Sequence, residues 1–91
     1  MEAKDLSKEE LLELYYREIL TALIVDCKIP EESVLVRVGD LAEYGPVEIR
    51  LQRMREFYGF LKEHNGKING TQFLQIVNEL NEKYPIEFPE E

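Results

Sequence analysis

The sequence predicts an all-α protein, with a small three-helix core and one extra helical turn in a single domain over residues 1–91. The chain has 91 residues, of which 44% are hydrophobic and 33% are charged; this composition is typical of a small globular domain. Three segments repeat apolar residues at steps of three and four, which indicates amphipathic helices. Capping patterns precede the first and third of these segments, so two helix starts are encoded locally.

The first helix is predicted to begin after Ser7, which forms a capping box with Glu10. The segment that follows places apolar residues on one wide face, namely Leu11, Leu12, Tyr15, Tyr16, Ile19, Leu20 and Leu23. Asp26 and Lys28 weaken this pattern, and Pro30 cannot continue a helix because it lacks an amide proton. We therefore expect this helix to be the central one and to end before Pro30.

The segment after Pro30 has a different periodicity. Residues 33–40 alternate, with Val34, Val36 and Val38 on one side, which favours a short β-strand. A strand needs a partner, which could come from a dimeric copy, and an extended loop is the equal alternative. Residues 40–45 then predict the extra helical turn, capped by Asp40 and ended by Gly45.

The second long helix is predicted to follow Pro46 and to end at the Asn65–Gly66 pair. Its apolar stripe has heptad-like spacing and consists of Val47, Leu51, Met54, Tyr58 and Leu61. The third helix is capped by Asn69 with Gln72 or by Thr71 alone, and Pro85 ends it. We expect residues 1–6 and 86–91 to be frayed or loosely docked. The predicted core comprises Tyr16, Ile19, Leu23, Leu51, Met54, Tyr58, Phe73, Val77 and Leu80.

The stretch "HNGKINGTQF", residues 64–73, resembles part of an EF-hand calcium loop. Gly66 falls at the sixth position and Ile68 at the eighth. The first and twelfth positions, which need carboxylates, are Leu61 and Gln72. We therefore predict that this stretch is a hinge between two helices and that it does not bind calcium.

The C-terminal segment is similar to the second helix of acyl and peptidyl carrier proteins. In that family an aromatic residue ends the helix and an Ile-Glu-Ile-Pro-like segment follows; the counterparts here are Tyr84, Ile86, Glu87, Phe88 and Pro89. The resemblance implies a serine bearing phosphopantetheine at position 70. That position is Gly70, which has no hydroxyl, so we expect no cofactor.

Enzymatic chemistry and metal binding have little support in the sequence. Cys27 and His64 are the only cysteine and histidine, so no disulfide or zinc site of such ligands can form within one chain. No glycine-rich phosphate loop or paired catalytic carboxylates are evident. No apolar run reaches about 18 residues, and the N-terminus is acidic, unlike a signal peptide. We expect a cytoplasmic protein without catalytic residues, a cofactor, a metal, a small-molecule substrate or a membrane partner.

Charge patterning points to the second helix as the surface for interaction. The net charge is −8, but residues 49–70 contain five basic and two acidic residues, a net +3. We predict a small acidic protein–protein interaction or regulatory module whose partner is another protein or a second copy. The alternative is a helix-turn-helix-like nucleic-acid binder that uses segment 49–70. The candidate interaction residues are Arg50, Arg53, Arg55, Phe57, Phe60 and Lys62.

Overall fold

The computed structural model describes residues 6–87, which form four helices and no strand. The helices are α1 (Lys8–Thr21), α2 (Glu31–Glu43), α3 (Val47–Glu63) and α4 (Gly70–Lys83). The predicted all-helical class is therefore confirmed over the described residues. The predictions for residues 1–5 and 88–91 lie outside the described residues.

Helix α1 begins where its capping box predicts. The Ser7 hydroxyl accepts from the amide of Glu10, and the Glu10 carboxylate accepts from the amide of Ser7. The chain then continues as a π-helical turn, Ala22–Asp26, in which the Cys27 amide donates to the Ala22 carbonyl. This turn is the extra helical piece beside the α-helices. The turn ends at Asp26, and Lys28, with a φ of 59°, takes the chain off the helical path before Pro30.

Helix α2 corrects the prediction for residues 33–45. The segment expected to be a strand or an extended loop is helical, and residues 40–43 are the end of the same helix rather than a separate turn. Val34, Val38 and Leu41 are fully buried. Their steps of four and three residues place them on one helical face, and burial of that face outweighs the strand preference of valine.

Helices α1 and α3 run parallel. Lys8 Nζ lies 3.2 Å from Glu48 Oε2 near the start of both helices, and the rings of Tyr15 and Tyr58 lie 5.3 Å apart further along. The connection from α2 to α3 turns at Gly45, where φ is +112°. That backbone conformation suits glycine because it has no Cβ.

The hinge between α3 and α4 has its own hydrogen bonds. Asn65 and Gly66 have φ values of 56° and 75°, and the Gly66 amide donates to the Leu61 carbonyl at 2.7 Å. Cys27 braces the hinge, because its thiol donates to the Gly66 carbonyl and its sulfur accepts from the Ile68 amide. The predicted capping box of Asn69 and Gln72 then starts α4.

The core lies between all four helices. Most of the predicted core residues are buried, although Tyr16 and Tyr58 are only partly so. The prediction missed the buried face of α2 and Phe57, whose ring lies 6.2 Å from that of Phe73. Ile86, after α4, packs against this core. Within residues 6–87, no helix is long and apolar enough to cross a membrane.

Candidate interaction surface

The structure does not bring the six predicted interaction residues together on one surface. Phe57 and Arg53 are buried, Arg50 is largely covered, and Phe60 is partly buried. Arg55 and Lys62 are exposed. Of the six predicted residues, Arg55 and Lys62 are therefore the two whose side chains are exposed to a partner.

Arg53 connects separate parts of the backbone. Its guanidinium donates to the carbonyls of Leu41, Tyr44, Tyr84 and Pro85. Within the described residues no carboxylate pairs with it, and its Nε is buried without a hydrogen-bond partner. Burial, and then repulsion from Arg50, lower the pKa of Arg53 from its usual value. The role of this arginine in the fold is to hold the end of α2 against the segment after α4.

Arg50 and Phe60 also make contacts within the protein. Arg50 donates to the carbonyls of Gly45 and Ala42 and forms an ion pair with Glu9 at 3.2 Å. The Phe60 ring lies 4.5 Å from the ring of His64, whose Nδ1 lies 2.9 Å from the Phe60 carbonyl oxygen. These contacts support the start and the end of α3 rather than a shared surface.

A groove between α1 and α3 is lined mostly by apolar side chains. Its volume is about 420 Å³, and it is lined by Leu11, Leu14, Tyr15, Glu18 and Tyr58. The rings of Tyr15 and Tyr58 form its floor with an interplanar angle of 57°. Leu14 is 45% exposed although it lies in the middle of α1. We call this feature the α1–α3 groove.

The α1–α3 groove continues toward the start of both helices. An adjoining depression of about 270 Å³ shares Leu11. It is lined also by Leu6, Leu51 and Arg55, by the polar Ser7 and Gln52, and by the ion-paired Lys8 and Glu48. On the α3 side Lys62 Nζ lies 5.5 Å from the centre of the Tyr58 ring. Among the interactions of residues 6–87, neither Arg55 nor Lys62 has an ion pair. The groove thus has an aromatic and aliphatic floor with a basic edge along α3.

The sequence-based prediction missed Leu14, although it placed Leu11 and Tyr15 of this groove on the apolar face of the first helix. Leu14 was not among the predicted core residues. The sequence signal that could have identified it as exposed is its spacing from the core residues of α1. It lies two residues after Leu12 and five before Ile19, both buried, so it points away from the core face. Leu14 therefore lies on the outer face of α1, where it lines the groove together with Leu11 and Tyr15.

Other apolar side chains on the described surface are more dispersed. Val25, Leu35, Val36 and Leu74 are exposed on the π-helical turn, α2 and α4. A second depression between α1 and α2 has a floor of Leu12, Tyr16 and Ala42 under the carboxylates of Glu9, Glu10, Glu13 and Glu43. Glu9, Glu10 and Glu13 already have partners in Arg50, Ser7 and Arg17.

Within residues 6–87, no cluster of three or more His, Cys, Asp or Glu side chains is arranged to hold a metal ion. Comparison with protein-family models, with curated proteins and with solved structures finds no match to this chain.

Proposed function

We propose that this chain is a non-catalytic protein–protein interaction module that binds its partner through the α1–α3 groove. The observation that carries the proposal is the half-exposed Leu14 beside the Tyr15–Tyr58 pair, with Arg55 and Lys62 along one edge. An apolar centre with a charged rim is the usual composition of a protein interface. Tyrosines are well suited to such a centre because they combine a large apolar ring with a hydroxyl.

The charge of the α3 edge indicates the kind of partner. Arg55 and Lys62 have no carboxylate partner among the described residues, although the chain as a whole is strongly acidic. A partner with an apolar strip and a carboxylate at its edge would cover the groove and pair with a cation of the α3 edge. Such complementarity gives specificity and faster association more than it gives affinity.

The alternative proposal, a helix-turn-helix-like nucleic-acid binder that uses segment 49–70, has less support. Arg50 and Arg53 donate to oxygen atoms of the protein itself, so two of the arginines counted for that segment are not available to phosphates. The exposed face of α4 carries Glu79 and Glu82. Carboxylates there would repel a phosphate backbone.

Photo-crosslinking tests the proposal directly. A photoreactive phenylalanine analogue replaces Leu14 in cells of the native host, and the same analogue replaces Leu74 as the control. The two leucines are matched, because they are 45% and 42% exposed and both lie within helices. We expect a discrete crosslinked protein band from position 14 and none from position 74.

Two results would contradict the proposal. The first is equal crosslinking from both positions, which would mean that the groove is not selective. The second is the absence of protein crosslinks together with a shifted DNA or RNA band in a gel assay at physiological salt. That second result would replace the interaction module by the nucleic-acid binder.

A further inference from the structure

We propose that the α1–α3 groove binds a second copy of this chain, about a two-fold axis that runs parallel to the two helices. This inference rests on the proposed function and names the partner of the same groove. Three features support it: the heights of the charged residues along the groove, the charge of its two edges, and an open space at Gly59.

The first feature is the height of Glu18 and Lys62 along the groove. The rings of Tyr15 and Tyr58 are in contact, so these two residues mark the same height on the parallel helices. Glu18 follows Tyr15 by three residues and Lys62 follows Tyr58 by four, which are rises of about 4.5 Å and about 6 Å. Counted from the Tyr15–Tyr58 contact, Glu18 on the α1 edge and Lys62 on the α3 edge therefore differ in height by about 1.5 Å. Counted from the Lys8–Glu48 ion pair they differ by about 6 Å, a distance that a lysine side chain can span.

The second feature is the opposite charge of the two edges, which the symmetry of two facing grooves brings together. A two-fold axis along the helices keeps every residue at its own height and places the α1 edge of one copy against the α3 edge of the other. Glu18 of each copy then faces Lys62 of its partner, twice by symmetry. A two-fold axis perpendicular to the helices would instead place the α3 edge of one copy against the α3 edge of the other, so that the two Lys62 side chains would lie on the same side of the dimer. Charge complementarity therefore favours the axis parallel to the helices.

The third feature is the open space at Gly59. This glycine lies four residues after Arg55 and three before Lys62, so it shares their edge of α3. A Cβ built on it meets nothing within 4 Å. Glycine is a weaker helix former than alanine, and the open space at this position leaves room for a side chain of the partner. In the proposed dimer, Leu14 of the partner lies within about 3 Å of the height of Gly59 and fills this space.

The contact area of one groove is small, so the dimer is expected to be weak, with a dissociation constant on the order of 10–100 μM. The experiment uses charge-reversal variants of the full chain. Glu18→Lys places two lysines at each contact between copies, and Lys62→Glu places two glutamates there. Sedimentation equilibrium measures the dissociation constant of each variant alone, of their equimolar mixture and of the double variant E18K/K62E.

We expect each single variant to dimerise about tenfold more weakly than the wild type. The mixture and the double variant should regain wild-type affinity, because both restore opposite charges at each contact. Glu79→Lys and Lys67→Glu are the matched controls, since both positions are exposed and away from the groove. Each should leave the dissociation constant within about twofold of the wild-type value.

Two results would overturn this inference. A dimer whose affinity does not respond to the charges at positions 18 and 62 contradicts the proposed symmetry. A wild-type chain that stays monomeric up to about 1 mM contradicts self-association. In that second case, a crosslink from position 14 to a different protein would still support the proposed function, whereas no crosslink at all would remove both.

Discussion

Tyr84 is held at both ends: its carbonyl accepts from Arg53 Nη2 at 3.1 Å, and its hydroxyl donates to Glu56 Oε2 at 2.6 Å. Both partners lie on α3, within one turn of each other. The segment that follows α4 is therefore fixed to the middle of α3, and Arg53 also holds the end of α2 there. Polar contacts at one place thus connect α3 with the end of α2 and with the segment after α4.

Replacing Arg53 tests this connection. Arg53→Met keeps most of the side-chain volume but removes the donors to the buried carbonyl of Leu41 and the partly buried carbonyl of Tyr84. We expect the free energy of unfolding to fall by about 2–4 kcal/mol, measured by urea denaturation. Arg55→Met is the matched control and should change it by less than about 0.5 kcal/mol. Equal effects of the two substitutions would show that the Arg53 contacts contribute little.

The stability of the fold should decrease at acid pH through Glu56. Burial alone would raise the pKa of this carboxyl, but hydrogen bonds from Tyr84, Gln52 and Lys83 outweigh it and lower the pKa. A carboxyl with a lowered folded-state pKa stabilises the fold above its unfolded pKa, which is about 4.3. That contribution is lost as the pH falls below about 4.3 and through the folded-state pKa.

The measurement compares Glu56→Gln with the wild type between neutral pH and about pH 3. The difference in unfolding free energy should be largest near neutral pH and should shrink on acidification. Glu63→Gln, an exposed position two turns further along α3, is the control and should show a much smaller difference at neutral pH. If the Glu56→Gln difference does not change with pH, the proposed hydrogen bonds do not stabilise the carboxylate.

Leu23 tests the packing of the π-helical turn. Its side chain is fully buried in the core cluster. Leu23→Ala should destabilise the fold by about 2–5 kcal/mol because a cavity remains, whereas Leu74→Ala, at an exposed leucine, should cost much less. A loss below about 0.5 kcal/mol at Leu23 would mean that the turn does not pack as described.

The hinge of residues 64–69 is predicted not to bind calcium. Calcium needs oxygen ligands, but Leu61 and Gln72 stand at the positions that need carboxylates, and the Gly66 carbonyl already accepts from the Cys27 thiol. Titration with calcium chloride, followed by amide chemical shifts, should give no saturable change at the amides of Gly66 and Ile68. Saturation at micromolar calcium would contradict the hinge interpretation.

Gly59 gives a prediction in which stability and association change in opposite directions. Gly59→Gln should stabilise the monomer by up to about 1 kcal/mol, because glutamine is the better helix former. The same side chain would occupy the space proposed for the partner's Leu14, so the dissociation constant should rise. Thermal unfolding at low concentration measures the first effect, and sedimentation equilibrium measures the second. A variant that is more stable and dimerises at least as tightly would contradict the proposed contact.

The sequence was sufficient to predict the helices with clear boundaries. The capping boxes at Ser7 and Asn69 and the Asn65–Gly66 pair are all local signals, and each lies where it was expected. Helix α2 was missed because Val34 and Val38 satisfy both a period of two and a helical step of four. Leu41 fits the helical spacing but not the alternation of a strand. It was assigned to a separate helical turn, so it did not count in favour of one continuous helix.

The interaction surface was harder to predict, because exposure depends on tertiary contacts. Arg53 and Arg55 are the same residue type on the same helix. Only Arg53 donates hydrogen bonds to backbone carbonyls of two segments that are distant in sequence, at Leu41 and Tyr84. No local pattern distinguishes the two arginines. Phe57 could have been assigned correctly, since it lies three residues after Met54 and four before Leu61, both in the predicted stripe.

A dilution series of amide spectra tests the central claim, that the α1–α3 groove is the binding surface and a second copy its occupant. The chain is labelled with nitrogen-15 and recorded from about 1 mM down to about 10 μM. We predict that the amide shifts of Leu14, Glu18, Gly59 and Lys62 move with concentration along one binding curve, while that of Leu74 stays constant. Groove amides that do not move, or larger movements at Leu35, Val36 and Leu74, would contradict the account.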